Sequence, residues 1–172
     1  MHTLLFLSTR VLHVVLAGAW LGAAMLQALF LLPSVQELGL GGAPVLATLV
    51  RRGVVKYMAS IGGLTVLTGV ALFYRFSGHF DPEMSASRAG MAFSVGGLLG
   101  LIALILGGSM VGGSAKKLVT LGDRLARLPE GAERAALLVT MDGLRAKMLT
   151  FARVVVGLLV IAMAAMALGH YI

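Results

Sequence analysis

Residues 11–32 read VLHVVLAGAWLGAAMLQALFLL, and no charged residue interrupts them. A helix needs about 20 predominantly apolar residues to cross the hydrocarbon core of a bilayer. Three further stretches approach the same standard: residues 57–76, 90–111 and 149–172. Lipid offers no partner to an open backbone N–H or C=O, so segments of this kind are helices. The expected fold is all-α: a polytopic membrane protein in which residues 1–172 form one domain of four transmembrane helices in an up-down bundle. Pro33, Pro44, Pro82 and Pro129 all fall outside the four segments, where a missing N–H does least harm. Residues 17–19, Ala-Gly-Ala, imitate a signal-peptide cleavage site, but the apolar run continues to Leu32 and reads as a retained helix.

Composition points the same way. Apolar residues make up 59% of the chain and charged residues 12%, against roughly 45–50% and 25% in soluble domains. The balance of 14 Lys and Arg against 7 Asp and Glu gives a net charge of +7. In a polar chain that excess would suggest nucleic acid, but in this one it reports topology and no nucleic-acid partner is expected. The absence of cysteine excludes a disulfide framework, an Fe–S cluster, thiolate-ligated haem and a cysteine nucleophile. No phosphate-cradling glycine loop, carboxylate pair or nucleophile with a base is present, so the sequence supports no soluble-enzyme chemistry.

Cytoplasmic loops collect Lys and Arg. Arg51, Arg52 and Lys56 lie in the first connection, and Lys116, Lys117, Arg124, Arg127, Arg134, Arg145, Lys147 and Arg153 in or beside the third; only Arg10, Arg75 and Arg88 belong to the other side. This eleven-to-three split orients the chain in a bacterial inner membrane with both termini periplasmic. The third connection, residues 113–148, carries apolar residues at helical spacing: Leu118, Leu121, Leu125 and Leu128, then Leu137, Met141, Leu144 and Met148. Pro129-Glu130-Gly131 between the two runs is a turn signal. Helices three and four are therefore expected to extend into a cytoplasmic helical hairpin, its charges facing water and anionic headgroups or docking a partner.

Within the membrane, small residues share faces at Gly18 and Gly22, at Gly62 and Gly69, at Gly96 and Gly100, and at Gly108 and Gly112. Such faces let helix backbones approach closely, which matters where lipid supplies no hydrophobic drive for association. Polar residues at membrane depth are rarer. His13, Ala17, Trp20, Ala24 and Gln27 recur at i, i+4, i+7, i+11 and i+14, a stripe expected to point into the bundle. In the fourth segment Met163, Met166 and His170 also share one face.

Arg10-Val-Leu-His13, six residues, then Trp20-Leu-Gly22 resembles the first helix of small bacterial membrane families: the CopD copper-resistance proteins, the HemJ-type protoporphyrinogen oxidases and other four-helix integral membrane proteins. The similarity extends loosely to Thr65, Thr68 and Gly69 and to Met163 and Met166. It implies haem b on the HemJ side and periplasmic copper on the CopD side, and it carries over to His13 alone. The HemJ-type lysine inside a later membrane helix has no counterpart, because Lys56 stands at a helix edge and Pro33 is followed by Ser34 rather than arginine.

Three functional readings stay open. The chain is an accessory or structural subunit of a larger respiratory or photosynthetic membrane assembly, with lipid and other membrane subunits as partners. Alternatively it binds haem b through His13 and His170, or copper through His13, Met163, Met166 and His170. A small transporter is the third reading, disfavoured because no Asp, Glu or Lys sits in the middle of a helix.

Overall fold

The computed structural model describes residues 2–169 and residue 171. Among them the chain is helical and contains no strand: α1 (His2–Leu26), α2 (Leu32–Glu37), α3 (Gly42–Arg51), α4 (Val54–Phe76), α5 (Pro82–Ala86), α6 (Arg88–Leu106), α7 (Gly113–Leu125) and α8 (Ala132–Leu168). Wide π-helical turns at Gln27–Leu31 and Gly107–Gly112 join α1 to α2 and α6 to α7. Four helical runs are long and apolar enough to cross a membrane: Thr3–Glu37, Val54–Phe76, Arg88–Leu125 and Ala132–Leu168.

All four runs are longer than the apolar segments seen in the sequence, the second only slightly, and the first contains Pro33. A proline inside a helix donates no hydrogen bond, and its ring crowds the carbonyl of the preceding turn. Here the wide turn immediately precedes it, with Leu32 N–H reaching back five residues to the Gln27 carbonyl, so the helix loosens where Pro33 enters. The second wide turn contains Gly107, Gly108 and Gly112. These are poor helix formers, and Ser109 Oγ, 2.6 Å from the Ile105 carbonyl, competes for the same acceptor.

The long helices close a ring, with α1 packed on α4 and α8, and α6 packed on the same two. At its centre Trp20, only 4% exposed, is clustered with Ala24, Ile61, Ala103, Val155 and Leu159. A Cβ at Gly62 would lie 2.9 Å from the indole carbons Cε2 and Cζ2 and equally close to Leu104 Cδ1. The ring thus closes around one tryptophan because α4 presents bare backbone to it.

A second cluster joins the lower parts of the helices. Leu118, Leu125, Met141 and Met148 are buried where α7 packs on α8, with Leu121, Leu137 and Leu144 packed against them. Arg134 Nη1 donates to the carbonyls of Leu125 at 2.8 Å and Leu128 at 3.3 Å, closing the carboxyl end of α7, where helix carbonyls otherwise lack partners. The first connection, which lies between the apolar segments, folds as α2 and α3. Ala43, Leu46, Ala47 and Val50 form the inner stripe of α3, and Leu46 joins the same cluster. A side chain at Gly42 would collide with the Val35 carbonyl, so this tight corner requires glycine.

Gly62 and Gly63 make a paired test, because a Cβ at Gly63 meets nothing within 4 Å. Gly62→Leu should cost roughly 1–3 kcal/mol by forcing Trp20 out of place. Gly63→Leu should be neutral or slightly stabilising through better helix propensity. Thermal unfolding in mild detergent measures both; equal midpoints for the two variants would show that Trp20 does not depend on the bare surface of α4.

Candidate functional site

The polar stripe of α1 faces inward. Trp20 and Ala24 are buried, and His13, Ala17 and Gln27 are half-buried. His13 Nδ1 lies 3.0 Å from the Thr65 carbonyl and 3.0 Å from Thr68 Oγ1. A carbonyl can only accept, so the hydrogen-bond network assigns the proton to Nδ1. The Thr68 hydroxyl donates to the Leu64 carbonyl at 2.8 Å, leaving its lone pairs for the imidazole. The Nε2 lone pair of His13 is consequently not the one used in this latch.

The receiving surface on α4 is shaped by threonine back-bonding and one missing side chain. Thr65 Oγ1 donates to the Ile61 carbonyl at 2.7 Å, which satisfies a buried hydroxyl within its own helix. A Cβ at Gly69 would come within 3.0 Å of His13 Cε1. Thr65, Thr68 and Gly69, the three residues noted in the second segment, therefore form the seat of the histidine.

The glycines on shared faces divide into two groups. Gly62 meets Trp20 and Leu104 and Gly69 meets His13; a Cβ at Gly96 would lie 2.7 Å from Met166 Cγ and 3.0 Å from the Ala162 carbonyl, and one at Gly112 would lie 2.9 Å from Val55 Cγ1. At Gly18, Gly22, Gly100 and Gly108 an added Cβ meets nothing within 4 Å of this chain. Their spacing is the same, but their surroundings differ.

Of the four side chains considered for copper, His13 is seated on α4, Met166 packs on α6 beside Gly96, and Met163 is 38% exposed. His170 lies outside the described residues, so its pairing with His13 does too. Among the described residues no group of three His, Cys, Asp or Glu is placed to hold a metal. Of the two histidines considered for haem, His13 is the one among the described residues, and with Nδ1 hydrogen-bonded its remaining ring nitrogen is Nε2.

Below the latch runs a narrow groove of about 80 Å³, lined by Trp20, Gln27, Met58, Gly107, Gly108 and Val155 among others. Both wide turns reach it, through Gln27 and Leu31 on one side and Gly107 and Gly108 on the other. Wide turns of this kind concentrate at functional sites. The helical stripe of α1 marks Gln27 in the sequence, whereas the turns themselves leave no signal there.

His13→Ala should destabilise the bundle by only about 0.5–1 kcal/mol, since both acceptors keep partners within α4 and interhelical hydrogen bonds in membranes are weak on average. Gly69→Leu should cost roughly 1–3 kcal/mol through collision with the imidazole, and this loss should shrink in the His13→Ala background. A double-mutant cycle on thermal midpoints measures the coupling; strict additivity would mean that the two residues do not touch.

No protein-family model, curated protein or solved structure matches the chain.

Proposed function

We propose that the chain is a non-catalytic integral membrane protein, an accessory or structural subunit of a larger respiratory or photosynthetic assembly in the bacterial inner membrane. One observation carries the reading: Gly18 and Gly22, four residues apart on α1, are exposed and face open space. A bare stripe of that kind suits close approach by a neighbouring helix, and this chain's own helices do not use it. The interior, by contrast, is filled by the packing of Trp20 and the seat of His13. In this reading the helices form an up-down bundle with the α7–α8 hairpin cytoplasmic and both termini periplasmic, on the eleven-to-three distribution of basic residues.

Purification from native membrane in mild detergent, with an inventory of co-purifying chains, tests the assembly. Gly18→Leu and Gly22→Leu should reduce co-purification of partner subunits severalfold while leaving the thermal midpoint of the isolated chain unchanged. A chain that purifies alone from native membrane, wild type and variants alike, refutes the reading. Orientation is tested by cysteine labelling at two exposed positions: Glu83→Cys should react with an impermeant reagent added outside, and Glu130→Cys should not. The reverse pattern inverts the topology.

A second reading, a haem b protein, has one observation in its favour. Fixing Nδ1–H on a carbonyl leaves the other ring nitrogen unprotonated, as in ligating histidines. The same purification distinguishes it, because stoichiometric haem absorption lost in His13→Ala would replace the accessory reading.

A further inference from the structure

A cavity of about 440 Å³ opens between α3, α7 and α8, within the usual range for small-molecule sites. Its charged side chains are Arg51, Arg134, Arg145 and Asp123, three cations to one anion. Arg134 is committed to the carbonyls of Leu125 and Leu128. Arg145 is held with 12% of its side chain exposed, donating through Nη1 to Asp142 at 2.8 Å. A guanidinium carries five N–H donors, so this contact uses only part of its capacity. Arg51 reaches across to Asp123 at 3.5 Å, with both side chains more than half exposed, a long contact that contributes little. Both guanidinium groups of the wall thus have a carboxylate partner, Asp142 for Arg145 and Asp123 for Arg51, and both keep N–H donors beyond those contacts; the cation of the lining with no carboxylate partner, Arg134, is held by carbonyls.

The rest of the lining is largely apolar and includes Leu46, Leu118, Met141 and Met148, side chains that the helices otherwise bury. Leu32, Val35, Leu46 and Met148 line both this cavity and the groove that runs past Trp20 to Gly108, so the apolar lining continues between the long helices. A small inorganic anion would bond to the arginines and leave the apolar part of the cavity unfilled. A neutral acyl chain would fill that part and leave the remaining guanidinium donors unused. The complementary ligand is anionic at one end and a long hydrocarbon along the rest.

We propose that this cavity binds an anionic phospholipid, its phosphate held by Arg51 and Arg145 and one acyl chain laid along Leu46 and Met148 toward Gly108. Arginine matches the phosphate fork by fork, and basic pockets between membrane helices are suited to anionic headgroups. The site rests on the chain being embedded in a bilayer and is independent of which assembly it joins. Asp123 acts against the ligand by competing for Arg51.

Native mass spectrometry of the full chain in mild detergent tests the site with three probes: phosphatidylglycerol, phosphatidylcholine of the same acyl chains, and glycerol phosphate. Phosphatidylglycerol should be retained at least about tenfold better than phosphatidylcholine, and glycerol phosphate should not compete at equal concentration. Joint replacement Arg51→Gln and Arg145→Gln should lower retention about tenfold, as expected for loss of charged hydrogen bonds. Arg124→Gln, which removes an arginine paired to Glu133 at 2.6 Å outside the cavity, should not. Asp123→Asn should raise retention, and Ala47→Trp, filling the cavity wall, should abolish it with every charge in place. Equal retention of the two lipids, or competition by glycerol phosphate as strong as by the lipid, overturns the proposal. If the double arginine variant does not fold, Asp123→Asn decides, and no gain in retention refutes the site.

Discussion

A tryptophan can stand between four helices only if one of them gives up a side chain, and the contact of Trp20 with Gly62 is where this chain meets that condition. Leu104 from α6 and Val155 and Leu159 from α8 complete the enclosure. The other close contacts repeat the arrangement at a fixed interval. His13 stands seven residues before Trp20 and Gly69 seven after Gly62, and these two meet as well. Gly96 stands seven before Ala103 and Met166 seven after Leu159, and they also meet. Seven residues are close to two helical turns, so a register fixed at the tryptophan brings the next pair of residues into contact two turns away. A shift of α4 against α1 would leave both the indole and the imidazole facing side chains too large to accommodate them.

Lipid as solvent explains why these contacts have the form they do. Between hydrocarbon tails and leucine side chains there is little to gain, so association depends on fit, and glycines supply fit by removing atoms. Polar groups must be satisfied locally, and among the described residues no buried side-chain N or O lacks a partner. Thr65, Thr68 and Ser109 return their hydroxyl protons to their own helices, and His13 is left to join two helices. Ion pairs play a small part here: Arg51–Asp123 and Arg124–Glu133 have both partners more than half exposed, where such pairs contribute about 0–1 kcal/mol.

The four apolar runs and the α7–α8 pair are legible in the sequence because each rests on a long local pattern; from Leu118 to Met148 the helical spacing can be counted residue by residue. The inward stripe of α1 is legible for a different reason, since its polar residues are rare enough to mark a face. Which glycines touch a neighbour is not legible. In a helix apolar on every side, hydrophobic periodicity carries no sign of inside or outside, so Gly18 and Gly62 look alike although one faces open space and the other an indole. The helix α3 does leave a signal, at Ala43, Leu46, Ala47 and Val50, but only about two turns of it, close to Pro44. The wide turn before Pro33 can be inferred only by asking how a helix continues through a proline, and the cavity has no local signature because its walls come from distant parts of the chain.

The two ends of the bundle solve different problems. At one end Gly78, His79 and Phe80 are all left-handed, with φ of 61°, 72° and 66°, and the two non-glycine residues cost about 1–2 kcal/mol each. The rings offset that cost: His79 meets Tyr74 at 4.7 Å, Phe80 meets Tyr74 at 5.2 Å and Phe73 at 6.1 Å, and Phe80 N–H donates to Ser77 Oγ at 3.0 Å. A strained turn held by its own aromatics closes on itself. At the other end α3 reaches α7 through the long Arg51–Asp123 contact above an apolar wall. Arg134 is spent on the carbonyls of Leu125 and Leu128 and Arg145 is paired to Asp142 at 2.8 Å, so Arg51 is the cation at that end whose carboxylate a ligand displaces at least cost.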